Sequence, residues 1–210
     1  MVQKKDRSGP AGRPRGRPRS FDPDEALDKA RAVFWNLGYA ATSLDDIAAA
    51  TGLNRPSLYA AFGDKHALYL AALRRSAREA AGALTQALAA KAPLRDVLAT
   101  IFDVTVSIYR RGEAGQRGCF LVGTAVTQAV DDPDARAMLA GYVAETDRLF
   151  QARFEADRPQ LAAGVSPAAA AMMASGTLHT LAIRARTGAD QAELKRVGAA
   201  AIDLICGAAS

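Results

Sequence analysis

The chain of 210 residues is long enough for one large helical domain, or for a small domain joined to a larger one. Half of the residues are hydrophobic but only 6% are aromatic, so the core must consist mainly of aliphatic side chains. We find no charge-free apolar run long enough to span a membrane, no secretory signal, and too few cysteines for a disulfide framework or metal cluster. We therefore expect an all-α, cytoplasmic protein without a metal or a cofactor.

The net charge of +5 is unevenly distributed. Residues 1–20 contain seven basic residues and one acidic residue, so the remaining 190 residues together carry about −1. This segment is also rich in glycine and proline and cannot bury a core, so we predict a disordered basic arm over residues 1–20. Such an arm serves either solubility or contact with a polyanion.

Three short helices are predicted after the arm. The first begins after Asp22 and ends at Gly38, the second begins after Ser43, and the third begins after Asn54, because each starting residue is a good N-cap. The second and third are separated by Gly52, which permits a sharp turn. Their size and spacing match a helix-turn-helix, whose second helix enters the major groove of DNA.

Six longer helices follow, with breaks at proline and glycine. We predict them over residues 64–90, 94–111, 119–130, 133–158, 167–187 and 190–207.

A longer motif covers the three short helices and the start of the fourth. Its parts are Gly38-Tyr, Ser43-Leu-x-x-Ile-Ala, Leu58-Tyr-x-x-Phe and Lys65-x-x-Leu. This motif resembles the TetR family of one-component transcriptional regulators. The resemblance implies a helix-turn-helix DNA-binding domain over residues 21–66, and a helical effector-binding and dimerisation domain over residues 67–210. It also implies a homodimer that binds a palindromic double-stranded DNA operator.

The resemblance also implies which side chains meet DNA. Those at positions that read base edges are Asn54, Arg55 and Ser57. Those at positions that contact the phosphate backbone are Ser43, Tyr59 and Lys65. The chemistry is suitable, since arginine pairs with guanine and lysine, tyrosine and helix N-termini bind phosphates. A core role for Tyr59 and a merely solvated Lys65 are the alternatives.

The third helix offers fewer contacts than is usual in this family, because Ala60 and Ala61 stand where longer side chains are common and Pro56 lacks an N–H group. The arm supplies an alternative. It contains Arg-Gly-Arg-Pro, which resembles an AT-hook, and we predict that Arg15 and Arg17 bind an adjacent A·T-rich minor groove. A tail that contributes charge alone is the other interpretation.

The C-terminal part contains no nucleotide loop or metal-ligand spacing, and we take His66 and His179 as ordinary surface or core residues. If this part binds a small molecule, it needs an apolar pocket. The candidate wall residues are Phe102, Val106, Tyr109, Cys119, Phe120, Thr124, Met138, Tyr142, Phe150 and Met173.

Cys119 follows a glycine-rich loop and is predicted to begin a helix near Arg111 and Arg117. That setting lowers the pKa of a thiol. The Gly-Cys pair also resembles TetR-type sensors of electrophiles or oxidants, although a small buried residue would fit equally well.

The function predicted is a ligand-responsive repressor, not an enzyme, released from its operator by a small molecule. We expect the last two helices to form the dimer, and a shift of the helix at 64–90 to change the spacing of the two DNA-reading helices. Three alternatives remain: a Cys119-dependent sensor, a cysteine-dependent enzyme, and an architectural protein of A·T-rich DNA.

Overall fold

Helices account for all the regular structure that the described residues contain. In this computed structural model the described residues are 21–111 and 117–208. The helices are α1 (Pro23–Leu37), α2 (Leu44–Thr51), α3 (Arg55–Phe62), α4 (Lys65–Leu88), α5 (Leu94–Tyr109), α6 (Phe120–Gln128), α7 (Pro133–Ala156), α8 (Pro167–Arg186) and α9 (Gln191–Cys206), with a 3₁₀ turn at Arg158–Gln160. The all-α prediction is confirmed, and each of the six later helices starts and stops within two residues of its predicted bounds.

The starts of the short helices follow from their caps. The carboxylate of Asp22 accepts a hydrogen bond from the N–H group of Asp24 at 2.8 Å. Ser43 and Asp46 form a capping box, in which each side chain accepts from the other residue's N–H group. The side chain of Asn54 accepts from the N–H group of Ser57 at 2.9 Å. These bonds satisfy donors that a helix leaves free at its first turn, and the three predicted N-caps are confirmed.

The three N-terminal helices and the start of α4 each contribute a large residue to the hydrophobic core. Phe34 of α1, Ile47 of α2, Leu58 of α3 and Leu68 of α4 are each at most 1% exposed. Helix α1 packs against both α2 and α4, and α3 packs against α2 and α4. Since each short helix buries one large residue in the same core, the orientation of α3 relative to α2 is fixed by packing.

The remaining helices form a bundle around α8. Helix α7 packs against α4, α6 and α8, while α5 packs against α8 and α9. Helix α4 is unbroken across the predicted domain boundary between residues 66 and 67, and its buried residues belong to a single core cluster that spans both parts of the chain. A displacement of α4 would therefore change the packing in both parts of the chain.

Helices α8 and α9 bury most of their apolar residues within the chain itself. The buried residues of these helices include Ala171, Ala174, Ser175, Leu178, Leu181, Leu194, Ile202 and Ile205. Helical periodicity cannot distinguish a partner helix of the same chain from one of a second copy. The large apolar residues that remain exposed on these helices are Met172, Ile183 and Leu204.

Among the helices described, none is both long enough and apolar enough to cross a membrane.

Candidate DNA interface and effector pocket

The outer surface of α2 and α3 carries most of the residues predicted to contact DNA. Ser43, Asn54 and Arg55 are exposed, and Ser57 is half-buried. Tyr59 is 51% exposed, so its ring does not belong to the core. Leu58 is buried and Phe62 packs partly against the core, which leaves the first turn of α3 facing outward. This geometry suits a recognition helix, whose N-terminal residues contact base edges.

Arg55 is held by an ion pair within the helix-turn-helix. Its Nε donates to Oδ1 of Asp45 at 2.8 Å, and Nη2 donates to Oδ2 at 2.5 Å. The hydrogen bond from Arg55 lowers the pKa of the Asp45 carboxyl. Both side chains are more than half exposed, so the pair is weak and can open. Arg55 must leave Asp45, at least in part, before it can pair bidentately with guanine.

Lys65 lies inward of the expected phosphate-contacting position. Its ammonium group donates to the carbonyl oxygens of Tyr39 at 3.1 Å and Thr42 at 2.9 Å, and lies 4.4 Å from the centre of the Tyr39 ring. The flexible stem of lysine allows this inward turn, which spacing alone does not reveal. Lys65 therefore ties the loop between α1 and α2 to α4. Arg15 and Arg17 lie outside the described residues.

A cavity of about 510 Å³ lies between the two parts of the chain. Its wall includes Arg31 and Trp35 of α1, the middle of α4 and α5, and the start of α6. Of the predicted wall residues, those that line it are Tyr109, Cys119, Phe120 and Tyr142. The volume falls in the range of small-molecule sites.

The other predicted wall residues do not line this cavity, and their role in ligand binding stays a prediction. They are Phe102, Val106, Thr124, Met138, Phe150 and Met173. Phe102 packs against Gly198 of α9, Phe150 stacks on Phe154, and the Thr124 hydroxyl accepts from Tyr69 at 3.0 Å. Each of the six is wholly or partly buried in the core, and an apolar pattern does not separate core from pocket.

The matches with known proteins identify the family. The model of bacterial regulatory proteins of the tetR family matches residues 26–72. The transcriptional repressor BdcR of Escherichia coli K12 is 31% identical over 142 residues, which cover 68% of each chain. A cysteine mutant of the TetR-family regulator CifR, solved with 26-bp double-strand operator DNA, is 30% identical with a TM-score of 0.79. The alignment covers 90% of this chain and 100% of that chain. The chain belongs to the tetR family of bacterial regulatory proteins.

Two further similarities extend this result. The transcriptional repressor ComR of E. coli K12 is 37% identical over 138 residues, but the match spans only 65% of ComR, which is less than two thirds. The reduced form of NemR from E. coli has the same fold, with a TM-score of 0.78 at 17% identity, over 90% of this chain and 98% of NemR.

Cys119 of this TetR-family chain differs from expectation in its ionisation. It is the N-cap of α6, and the N–H groups of Val122 and Leu121 favour its thiolate. Burial has the larger effect, however, and raises the pKa of the Cys119 thiol, so the expected lowering is wrong. The hydroxyls of Tyr109 and Tyr142 also interact with this thiol.

Trp35 is the cavity residue that connects the two parts of this TetR-family chain. Its indole N–H donates to the carbonyl oxygen of Arg117 at 2.9 Å, and Nη1 of Arg186 donates to the Trp35 carbonyl at 3.1 Å. The Arg117 guanidinium lies 4.3 Å from the centre of the Trp35 ring. No local pattern predicts these contacts, because they join residues that are 82 and 151 positions apart in the chain. A change at the cavity wall would reach α1 through them.

His66 also has a partner that was not expected. Its Nε2 lies 2.8 Å from Oδ2 of Asp132, which caps α7. This bond joins the first turn of α4 to the start of α7.

Proposed function

We propose that this chain is a homodimeric transcriptional repressor that binds operator DNA through α2 and α3 and is released by a small molecule. The observation that carries the proposal is the outward-facing first turn of α3, held by a buried Leu58 and capped by Asn54. The likeness to CifR, whose structure was solved with operator DNA, supports it. The names of ComR and BdcR, both repressors, support the sign of the regulation.

The proposed DNA contacts follow from the hydrogen-bonding groups that each side chain can offer to DNA. Arg55 pairs with a guanine once it leaves Asp45, and Ser57 and the amide N–H₂ of Asn54 face the same groove. Tyr59 and the α2 N-terminus at Ser43 bind phosphates. Lys65 keeps its bonds to Tyr39 and Thr42 and contributes through its charge.

The proposed division of the chain places a DNA-binding domain at residues 21–66 and an effector and dimerisation domain at 67–210. The effector site is the 510 Å³ cavity, because its wall contains residues of α1 as well as α4. A ligand that binds one orientation of α1 and α4 more tightly than another shifts the equilibrium toward that orientation, and with it the position of the DNA-reading helices. The difference in its binding free energy for the two orientations limits this shift.

The test is footprinting on the DNA flanking the gene, followed by binding measurements with Arg55→Ala. We expect a palindromic footprint, and a loss of about 1–3 kcal/mol of specific binding in Arg55→Ala. Arg148→Ala, which removes an exposed arginine from α7, is the matched control and should bind as the wild type does. Uniform coverage of A·T-rich DNA without a discrete footprint would favour the architectural alternative and overturn the proposal.

A second candidate, a cysteine-dependent sensor, is favoured by the position of Cys119 in the cavity wall beside two tyrosine hydroxyls. In this candidate an electrophile enters the cavity and alkylates the thiol. Release from the operator by N-ethylmaleimide should then be lost in Cys119→Ser and kept in Cys206→Ser. Release that persists in Cys119→Ser would rule the candidate out.

A further inference from the structure

The charged groups around the cavity do not balance. Its wall contains three arginines, Arg31, Arg111 and Arg117, and one carboxylate, Glu79. Glu79 is already shared between two guanidinium groups, since its oxygens lie 2.5 Å from Nη1 of Arg31 and 2.9 Å from Nε of Arg75. Arg31 makes a second ion pair with Asp28 at 2.9 Å. The cavity therefore carries positive charge that its own wall does not neutralise.

Arg117 is the arginine with the least compensation. Within residues 21–111 and 117–208 it forms no ion pair, and its Nε is buried with no hydrogen-bond partner. Its guanidinium lies on the face of Trp35, which leaves Nε, at the edge of the group, without a partner among the described residues. Burial, followed by repulsion from Arg31, lowers the pKa of Arg117. A buried donor without an acceptor is costly, and a cation with a second cation beside it is more so.

The rest of the wall is largely apolar. It includes Leu84, Ile101, Leu121 and Leu178, with the rings of Trp35 and Phe120. The hydroxyl groups of the wall, such as those of Tyr109, Tyr142 and Thr146, can replace the water of only a few ligand atoms, so most of a ligand that fills this space must be apolar. Arg111 is exposed, so water can solvate its charge, whereas Arg117 is half-buried and has no ion pair among the described residues. A single negative charge would compensate Arg117, and its planar guanidinium fork matches a carboxylate in geometry.

We propose that the effector is an amphipathic monocarboxylate, whose carboxylate pairs with Arg117 while its apolar body fills the cavity. The inference rests on the proposed function, in which this cavity is the effector site. Pairing with a carboxylate draws the Arg117 guanidinium toward the ligand and changes its contact with Trp35. Because the Arg117 carbonyl also accepts the Trp35 indole N–H, the ligand acts on α1 through one residue.

Trp35 makes the proposal directly measurable, since it is the only tryptophan of the chain and lies in the cavity wall. The probes are two matched pairs: decanoate with decan-1-ol, and naphthalene-2-carboxylate with 2-naphthalenemethanol. Calorimetry gives each affinity, and Trp35 fluorescence reports occupancy for the aliphatic pair. We expect at least one acid to bind about tenfold or more tightly than its alcohol, as a charge-assisted pair requires.

Arg117→Gln should remove this preference for the acid, and Arg117→Lys should keep part of it. Arg148→Gln, which neutralises an exposed arginine of α7, should leave it unchanged. Circular dichroism establishes that each variant is folded. The proposal is overturned if neither acid binds more tightly than its alcohol, or if Arg117→Gln binds the acid as the wild type does.

This experiment needs no DNA and separates the two proposals. Acid binding that depends on Arg117, in a protein that fails to bind an operator, would retain the carboxylate site and refute the repressor. A discrete operator footprint with no preference for either acid would retain the repressor and refute the carboxylate site.

Discussion

Individual side chains near the cavity and the DNA-facing surface have their properties set by neighbours that are distant in sequence. Arg55 is paired with Asp45 of the preceding helix, and Lys65 turns inward to two carbonyl groups. Burial determines the ionisation of Cys119 more strongly than the helix N-terminus does. In each case the residue type indicated the available chemistry, whereas the contacts determine what the residue can do in the free protein.

Gly118 lies at a position that accepts no other residue easily. Its φ is +63°, and a Cβ atom there would lie 2.7 Å from the carbonyl oxygen of Ala182. We expect Gly118→Ala to lower the free energy of unfolding by about 2 kcal/mol or more, since it combines a left-handed backbone with a backbone clash. Denaturant titration gives the value. Gly141→Ala, in the open middle of α7, should be neutral or stabilising, and an equal loss in both variants would contradict the explanation.

The raised pKa of Cys119 predicts that its thiol reacts slowly with electrophiles at neutral pH. The thiolate is the reactive form, so alkylation by iodoacetamide should keep accelerating with pH beyond 9.0, the ordinary value for this group. The rate is measured by mass spectrometry in Cys206→Ser, which removes the other thiol. A rate that is already constant above pH 8 would show that burial does not dominate.

At the scale of single elements, local sequence is a reliable guide. The side chains of Asp22, Ser43, Asn54 and Asp64 cap the first four helices, and glycines follow the first three. Gly52 adopts the left-handed conformation, with φ +74°, that a C-terminal stop of this kind requires. These signals act within a few residues and need no tertiary context, which explains why the helix bounds were predictable.

The basic arm is an element whose role is still a prediction. If residues 1–19 contact DNA, their deletion should weaken operator binding and reduce its dependence on salt. Each phosphate contact makes the negative slope of log binding constant against log salt concentration steeper by about 0.9. Fluorescence anisotropy at several salt concentrations measures this slope. The double variant Arg15→Lys with Arg17→Lys keeps the charge, and should lose preference for A·T-rich flanks more than affinity. An unchanged slope and affinity after deletion would refute the role.

At the scale of the whole molecule, the surface of α8 and α9 is the feature that a single chain leaves unexplained. Met172 and Ile183 are both more than half exposed and lie eleven residues apart, about three helical turns, so they share a face of α8. Leu204 of α9 is 63% exposed. A dimer contact through the last two helices would cover these three exposed apolar residues.

Leu204→Glu should therefore dissociate the dimer. A carboxylate buried at a two-fold contact would lie against the same carboxylate of the second chain or against apolar surface, and both are unfavourable for a charge. Light scattering after size exclusion would give the mass of one chain, 22.0 kDa, instead of twice that value. Val130→Glu is the control and should leave the mass unchanged, because Val130 is an apolar residue outside α8 and α9 that is 70% exposed. A dimeric Leu204→Glu protein would place the contact elsewhere.

The sequence by itself determined the all-α class, the bounds of the helices and the family, because caps, breaks and the motif from Gly38 to Leu68 are local. Only the tertiary structure decided which apolar residues line the cavity, that Arg31 and Trp35 of α1 belong to it, and that Arg117 lies there without a partner among the described residues. The reason is physical: core, pocket and dimer surface all require apolar residues at helical spacing, and only the packing of helices distant in sequence separates them.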